Sequence, residues 1–154
     1  MKPGDPGYPV PSSEAASKVM RGNHKTGSRP EASLRRELHG RGLRYRKNPS
    51  VRTSVGVVRP DLAFPGPKVA VFVDGCFWHS CPTHGNTPGT NRDYWEPKLR
   101  RNRERDRRVT DALIADGWVV VRVWEHESLE SAATAVETAV RTGTIQASQR
   151  CPPE

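Results

Sequence analysis

The stretch Lys68-Val69-Ala70-Val71-Phe72-Val73-Asp74-Gly75-Cys76-Phe77-Trp78-His79-Ser80-Cys81-Pro82-Thr83-His84 governs how the rest of the chain is read. Its first half, Val69 to Val73, is apolar and rich in β-branched residues, the pattern of a strand buried on both faces. The run stops at Asp74-Gly75, and two Cys, two His, a Phe and a Trp follow within nine residues. A buried strand that ends in a carboxylate and opens into such a cluster is a natural place for chemistry.

Upstream, Pro60 to Phe64 is a second apolar segment, and Pro65-Gly66-Pro67 is turn chemistry, so the two segments are expected to pair antiparallel. Residues 47–57 read as a loop, and Leu43 to Arg46 as a weak strand. Before them, Leu34 and Leu38 form an i, i+4 stripe, Ser28 can cap and Pro30 suits a first turn. Together they predict a helix from Pro30 to about Arg41, ended near Gly40 or Gly42. Downstream, a long charged helix is expected from Arg92 or Asp93 to Asp116, stopped by Gly117. Pro97 belongs in a first turn, which would move the helix start towards Trp95. Trp118 to Trp124 reads as a third strand, central by composition. Leu129, Ala133, Val136 and Val140 recur at helical spacing, predicting a closing helix over 128–141. The order α-β-β-α-β-α implies a mixed α/β sandwich. Residues 1–17 and 144–154 have no apolar period and are expected to be disordered tails around one domain, 18–143.

Several constellations carry possible chemistry. Asp61 stands at the head of an apolar strand, where Asp is a poor fit. It either caps a turn or offers oxygen to Mg²⁺. A hairpin at 65–67 would bring Val73-Asp74 back beside Arg59 to Asp61, placing two carboxylates together as a metal-dependent phosphodiester hydrolase requires. Glu31 is a third acidic candidate, or simply a first-turn residue complementing the helix dipole. Cys76, Cys81, His84 and His126 suit tetrahedral Zn²⁺ in a structural role, although their spacing is not that of a zinc finger. His79 could replace one of these ligands or handle protons beside the carboxylates. Phe77, Trp78, Tyr94 and Trp95 could wedge between bases or pack as a small core over the zinc loop. Lys98 and the Arg residues through Arg108 either lace a solvated helix with ion pairs or, beside those aromatics, touch phosphates.

The totals agree with a nucleic-acid partner. The 154 residues suit a single domain and carry a net charge of +8, with a pI near 9.9, which favours a polyanion. No stretch reaches the ~20 apolar residues of a membrane span, and the amino end lacks a signal-peptide pattern. Three Cys, two of them close to His residues, fit metal binding in a reducing cytoplasm better than disulfides.

Pro30-Glu31, Arg59-Pro60-Asp61, Phe72 to His79, Asn102-Arg103-Glu104-Arg105-Asp106 and Val123-Trp124-Glu125 together resemble the very-short-patch repair DNA mismatch endonucleases. The resemblance runs from about Lys18 to Leu129. It implies a restriction-endonuclease-like fold of the PD-(D/E)xK superfamily and a Mg²⁺-dependent nick in double-stranded DNA, 5′ of the T in a T:G mispair left by 5-methylcytosine deamination. Asp61 would be the central metal ligand, the Val73 carbonyl would complete the Mg²⁺ shell, His79 would be the catalytic histidine, and Glu31 would act through water on the metal. Asp74 would bind the metal or order water. Phe77, Trp78 and Trp95 would enter from the major groove and Met20 from the minor groove, while Lys98 and Asn102 would read the mispair. Cys76, Cys81, His84 and His126 would hold structural zinc. Nothing in the sequence suggests a dimer, so a monomer is expected, in the cytoplasm and on the nucleoid, with other mismatch-repair proteins as further partners. The chain departs from the wider superfamily in having no Lys after Asp74, and from the family it resembles in the mix of Cys and His at the zinc set. Two other functions fit the same residues: a sequence-specific restriction-type nuclease and a non-catalytic DNA-binding zinc module.

Overall fold

The computed structural model describes residues 29–75, 81, 89 and 91–143. The expectations for both tails, for Met20, for the 76–79 segment and for His84 fall outside those residues. The elements in chain order are α1 (Arg29–Gly40), β1 (Arg46–Lys47), β2 (Val51–Thr53), β3 (Gly56–Val58), β4 (Leu62–Phe64), β5 (Val69–Asp74), α2 (Arg92–Ala115), β6 (Val119–Trp124) and α3 (Leu129–Thr142). The predicted α-β-β-α-β-α order is present, with β1 and a β2–β3 hairpin added to it.

Strands β1, β4, β5 and β6 form one mixed sheet in that spatial order. β4 and β5 pair antiparallel, with Leu62 opposite Val71 and Phe64 opposite Val69. β5 and β6 run parallel from Val69↔Val119 to Asp74↔Trp124, and α2 supplies the crossover that parallel neighbours require. Backbone bonds from Val119 to Lys68 (2.8 Å) and from Glu125 to Asp74 (3.0 Å) close the ladder at both ends. The ends of β5 and β6 are therefore level, so the residues that follow each strand emerge together.

β5 is covered on both faces, as its composition implies: Val69, Ala70 and Val71 are fully buried. On one face Val69 and Val71 join Leu62, Phe64, Val121 and Val123 against Leu34 and Leu38 of α1 and Ala132, Ala133, Val136 and Ala139 of α3. The small residues of α3 let that helix lie close to the sheet. On the other face Ala70 meets Val58, Leu113 and Val120, with Phe72, Val109 and Trp118 at the margin. Truncating a side chain such as Leu38, which is completely buried, should cost about 2–5 kcal/mol.

Glycine ends two of the helices where the sequence places it. Gly42 (φ +81°) and Gly117 (φ +85°) take the left-handed conformation. Bonds from Leu43 to Leu38 and from Trp118 to Leu113 span each exit, with Gly42 to His39 and Gly117 to Ile114 inside them. Both are Schellman stops. Ser128 caps α3, accepting from Ser131 N–H at 3.2 Å.

Four expectations need correction. Residues 47–57 are not simply loop: Val51 to Val58 is an antiparallel hairpin. Val51 and Val58 point to the core, and Gly56 follows the turn at φ +108° instead of lying within it. The weak strand near 43–46 is the two-residue β1, starting at Arg46. α2 begins at Arg92, as first expected, and the later start near Trp95 is the part to correct, since the helix runs through Pro97; burial of Trp95 and Leu99 on either side of the proline holds the axis despite one missing N–H. Finally, β6 is not central: it is the last strand of the described sheet. Its apolar composition reflects helices on both faces.

Candidate active site and DNA-facing helix

The β4–β5 register puts Asp61 one residue before the strand, opposite the end of β5. Its Oδ2 accepts the Val73 N–H at 2.7 Å, and its own carbonyl accepts from Asn48 N–H at 3.0 Å. Asp61 is thus held through both its side chain and its backbone, beside Val73 as the hairpin reading anticipated. In a strand the N–H and C=O of one residue leave along the same edge. The Val73 carbonyl therefore leaves β5 on the side where Asp61 stands. A side-chain carboxylate and a backbone carbonyl on one edge are hard oxygen donors of the kind Mg²⁺ takes, so these residues fit that ion.

Glu31 lies in the first turn of α1 on the same stripe as Leu34 and Leu38, and is 3% exposed. Arg35, one turn on, donates to its Oε1. α1 is held in place from two directions. Tyr45 donates to the Arg35 carbonyl at 3.2 Å, and Arg41 bonds Glu37 and Glu137, each at 3.0 Å. The second of these bonds crosses to α3. The Glu137 carboxyl is held below the usual carboxylate range, first by the Arg41 hydrogen bond and then by Arg141. Arg41 is raised in turn, first by its hydrogen bond to Glu137 and then by that to Glu37.

Asp74 is buried on the opposite face of β5 and belongs to a network that sequence reasoning missed. Arg122 of β6 donates from Nη1 to both carboxylate oxygens, each at 2.9 Å. Its Nε donates to Thr110 Oγ1 at 3.0 Å, and its guanidinium lies over Phe72, 4.4 Å from the ring centroid. Arg122 thereby ties β6 to β5 and to α2. The signal was a lone Arg inside an otherwise apolar strand. Read beside Asp74 in a parallel register, it announces a buried pair.

Two of the four expected zinc ligands are described, and they meet: Cys81 Sγ lies 3.6 Å from His126 Nδ1. Tetrahedral coordination with Zn–S near 2.3 Å and Zn–N near 2.0–2.1 Å puts sulfur and nitrogen roughly 3.6 Å apart. The pair therefore fits zinc. His126 arrives there because β6 ends level with β5, and its ring stacks on Trp124 at 6.4 Å.

The start of α2 carries the expected mispair readers. Lys98 Nζ donates to Tyr94 Oη at 3.2 Å and lies 5.5 Å from the Trp95 ring centroid. Asn102 follows one turn later, half-buried. Trp95 packs edge-on against Tyr94 at 5.0 Å and is only 6% exposed. In the free protein its ring is core, so a wedging role would require it to turn outward on binding. Arg100, Arg101, Arg103, Arg105, Arg107 and Arg108 are all exposed along the helix.

Comparison with known proteins places this arrangement. Residues 10–84 match the family model described as DNA mismatch endonuclease Vsr. The chain is 54% identical over 130 residues to the type II nicking enzyme V.NaeI of Lentzea aerocolonigenes, covering 84% of this chain and 78% of that one. It is 39% identical over 121 residues to V.HpaIIP of Haemophilus parainfluenzae, covering 77% and 83%. To the DNA mismatch endonuclease Vsr of Escherichia coli K12 it is 34% identical over 110 residues, covering 71% and 68%. The chain belongs to the Vsr DNA mismatch endonuclease family. As a Vsr-family protein it is a hydrolase that nicks DNA, which sets aside the non-catalytic zinc module. Among the described residues, no helix is long and apolar enough to cross a membrane.

Proposed function

We propose that this Vsr-family endonuclease nicks duplex DNA 5′ of the T in T:G mispairs arising from 5-methylcytosine deamination, by Mg²⁺-dependent hydrolysis on a PD-(D/E)xK type of frame. The observation that carries the reading is Asp61, held by the Val73 N–H at 2.7 Å at the end of a buried strand. Asp61 and the Val73 carbonyl would hold the Mg²⁺, which when bound offsets charge on the phosphate and the leaving oxygen. His79 takes the proton of the attacking water as general base. Glu31, buried at the head of α1, orients solvent at the site. Asp74, with both oxygens on Arg122, belongs to the frame of the site in this scheme and stands outside the metal shell.

Cys81 and His126, with Cys76 and His84, would hold zinc that ties the segment following β5 in sequence to the end of β6. Phe77 and Trp78 of that segment, with Trp95, would open the stack at the mispair, while Met20 would approach from the minor groove and Lys98 and Asn102 would read the bases. The protein would act as a monomer in the cytoplasm, on the nucleoid, alongside other mismatch-repair proteins.

The test uses an end-labelled duplex bearing one T:G mispair and its matched T:A twin, each with Mg²⁺ and with EDTA. A nick on the T strand, in the mispaired duplex and with Mg²⁺ alone, is the expected result; cleavage of both duplexes would overturn it. The relatives named type II nicking enzymes favour a second reading, in which a particular flanking sequence is also required. The same mispair set in several flanking sequences separates the two.

A further inference from the structure

The β2–β3 hairpin has no part in the scheme above, yet its base is bonded to the candidate metal ligand. The Asn48 N–H donates to the Asp61 carbonyl at 3.0 Å, so residues 48–61 form an excursion that leaves and returns at Asp61. The hairpin is a stiff unit with a defined outer face. Val51↔Val58 is its inward pair, packed beside Ala70 and Leu113. Arg52↔Val57 is the next cross-strand pair, and by strand alternation it points away from the core. At the tip Thr53 Oγ1 donates to the Gly56 carbonyl at 2.9 Å and accepts from Val55 N–H at 3.3 Å.

The outer face carries Arg52, and the chain on either side of the hairpin is basic without an acidic residue. Residues 44–60 contain five basic side chains, Arg44, Arg46, Lys47, Arg52 and Arg59, and no Asp or Glu. All five are exposed. Among the described residues none of them forms an ion pair, in contrast to Arg35, Arg41, Arg92, Arg122 and Arg141 elsewhere. Apolar surface is exposed there too: Val57 is 59% and Val55 44% accessible. Charge without acidic partners, on a rigid arm rooted at the nuclease carboxylate, complements a sugar–phosphate backbone.

We propose that this hairpin, with the residues that flank it, is a second DNA-contacting element, gripping the duplex backbone beside the scissile phosphate through Lys47, Arg52 and Arg59. It rests on DNA being the substrate and is independent of the aromatic wedge and of α2. Arg59 is two residues from Asp61, at most about 7 Å along the chain, and Arg52 pairs across from Val57, four residues from Asp61, so the grip falls on the backbone near the nick. Contacts of this kind position the protein without reading sequence.

The experiment measures binding of the full-length protein to the T:G duplex in EDTA across a salt series, for wild type, Arg52→Ala, Arg59→Ala and the triple variant with Lys47→Ala. Arg141→Ala, on α3, is the control with the same loss of charge per site. Each hairpin substitution should lower the slope of log affinity against log salt by about 0.9, which is about eightfold in affinity at 0.1 M salt, and the triple variant by about 2.7. Arg141→Ala should leave the slope as in wild type, and the melting temperatures of the exposed single variants should match wild type. Hairpin variants with the wild-type slope, beside a wild-type protein that binds the duplex, would overturn this inference alone and leave the apolar tip as a surface for some other partner. A wild-type protein that does not bind the T:G duplex would overturn the proposed function as well.

Discussion

Arg122→Met should be among the more damaging single substitutions in the chain, and its size can be worked from the network. The guanidinium side chain is 13% exposed and that of Asp74 is 6% exposed. Removing one partner of a buried ion pair costs about 3–5 kcal/mol, because the other charge stays in a poorly solvated place. The change also removes the Thr110 bond (3.0 Å) and the contact with Phe72 (4.4 Å). For a domain of this size each kcal/mol moves the melting temperature by about 2–4 °C, so a fall of roughly 6–20 °C is expected. The apolar double variant Asp74→Leu/Arg122→Met should recover most of the loss, since replacing a whole buried pair is often near neutral. Thermal or urea denaturation of wild type, both single variants and the double variant measures the coupling. A coupling below about 0.5 kcal/mol would refute the reasoning, because that is the scatter of independent sites. The double variant also reports on chemistry. If it folds and nicks, Asp74 serves the frame; if it folds and does not nick, Asp74 takes part in the reaction.

Three further outcomes are expected. Asp61→Asn keeps an oxygen that can accept from Val73 N–H but removes the charge, so nicking should fall by at least about 1000-fold, several kcal/mol of barrier, with DNA affinity within a few-fold; a duplex-nicking assay and a binding titration check both. Cys81→Ser should lower bound zinc and melting temperature together, because structural zinc contributes directly to folding, and metal analysis beside calorimetry decides it. Glu137 is depressed by Arg41 first and Arg141 second, so the stability it adds is present above its unfolded pKa and lost as pH falls through the folded value. Glu137→Gln should therefore flatten the acid-side loss of stability below about pH 4.5, and a wild-type acid profile in that variant would refute the link between α1 and α3.

The local signals that could be read were those whose physics is local. The Leu34/Leu38 stripe, Gly42 and Gly117 bounded two helices correctly, because a helix stop needs only its own backbone and a residue tolerant of positive φ. The β4–β5 pairing was equally legible from two apolar runs around Pro-Gly-Pro, and it delivered Asp61 beside Val73. Pro97 misled because its cost was weighed without the burial of Trp95 and Leu99 that offsets it. The β2–β3 hairpin escaped because its short strands carry Arg52 and exposed Val57 on one side. Their inward pair matters only once Leu113 and Ala70 are in place.

By itself the sequence determined the class of fold, the buried strand that leads to the cluster, and the residue types able to hold hard and soft metals, since these follow from composition and short-range periodicity. Tertiary structure alone decided which of them meet. The parallel register of β5 and β6 brings Arg122 onto Asp74 from 48 residues away and His126 to Cys81 from 45. Between the two readings open for Trp95, wedge or packed ring, the fold leaves it buried in the free protein. The physical reason is that register and helix docking are set by the sum of many apolar contacts across the sheet, and no single segment of the chain contains that sum.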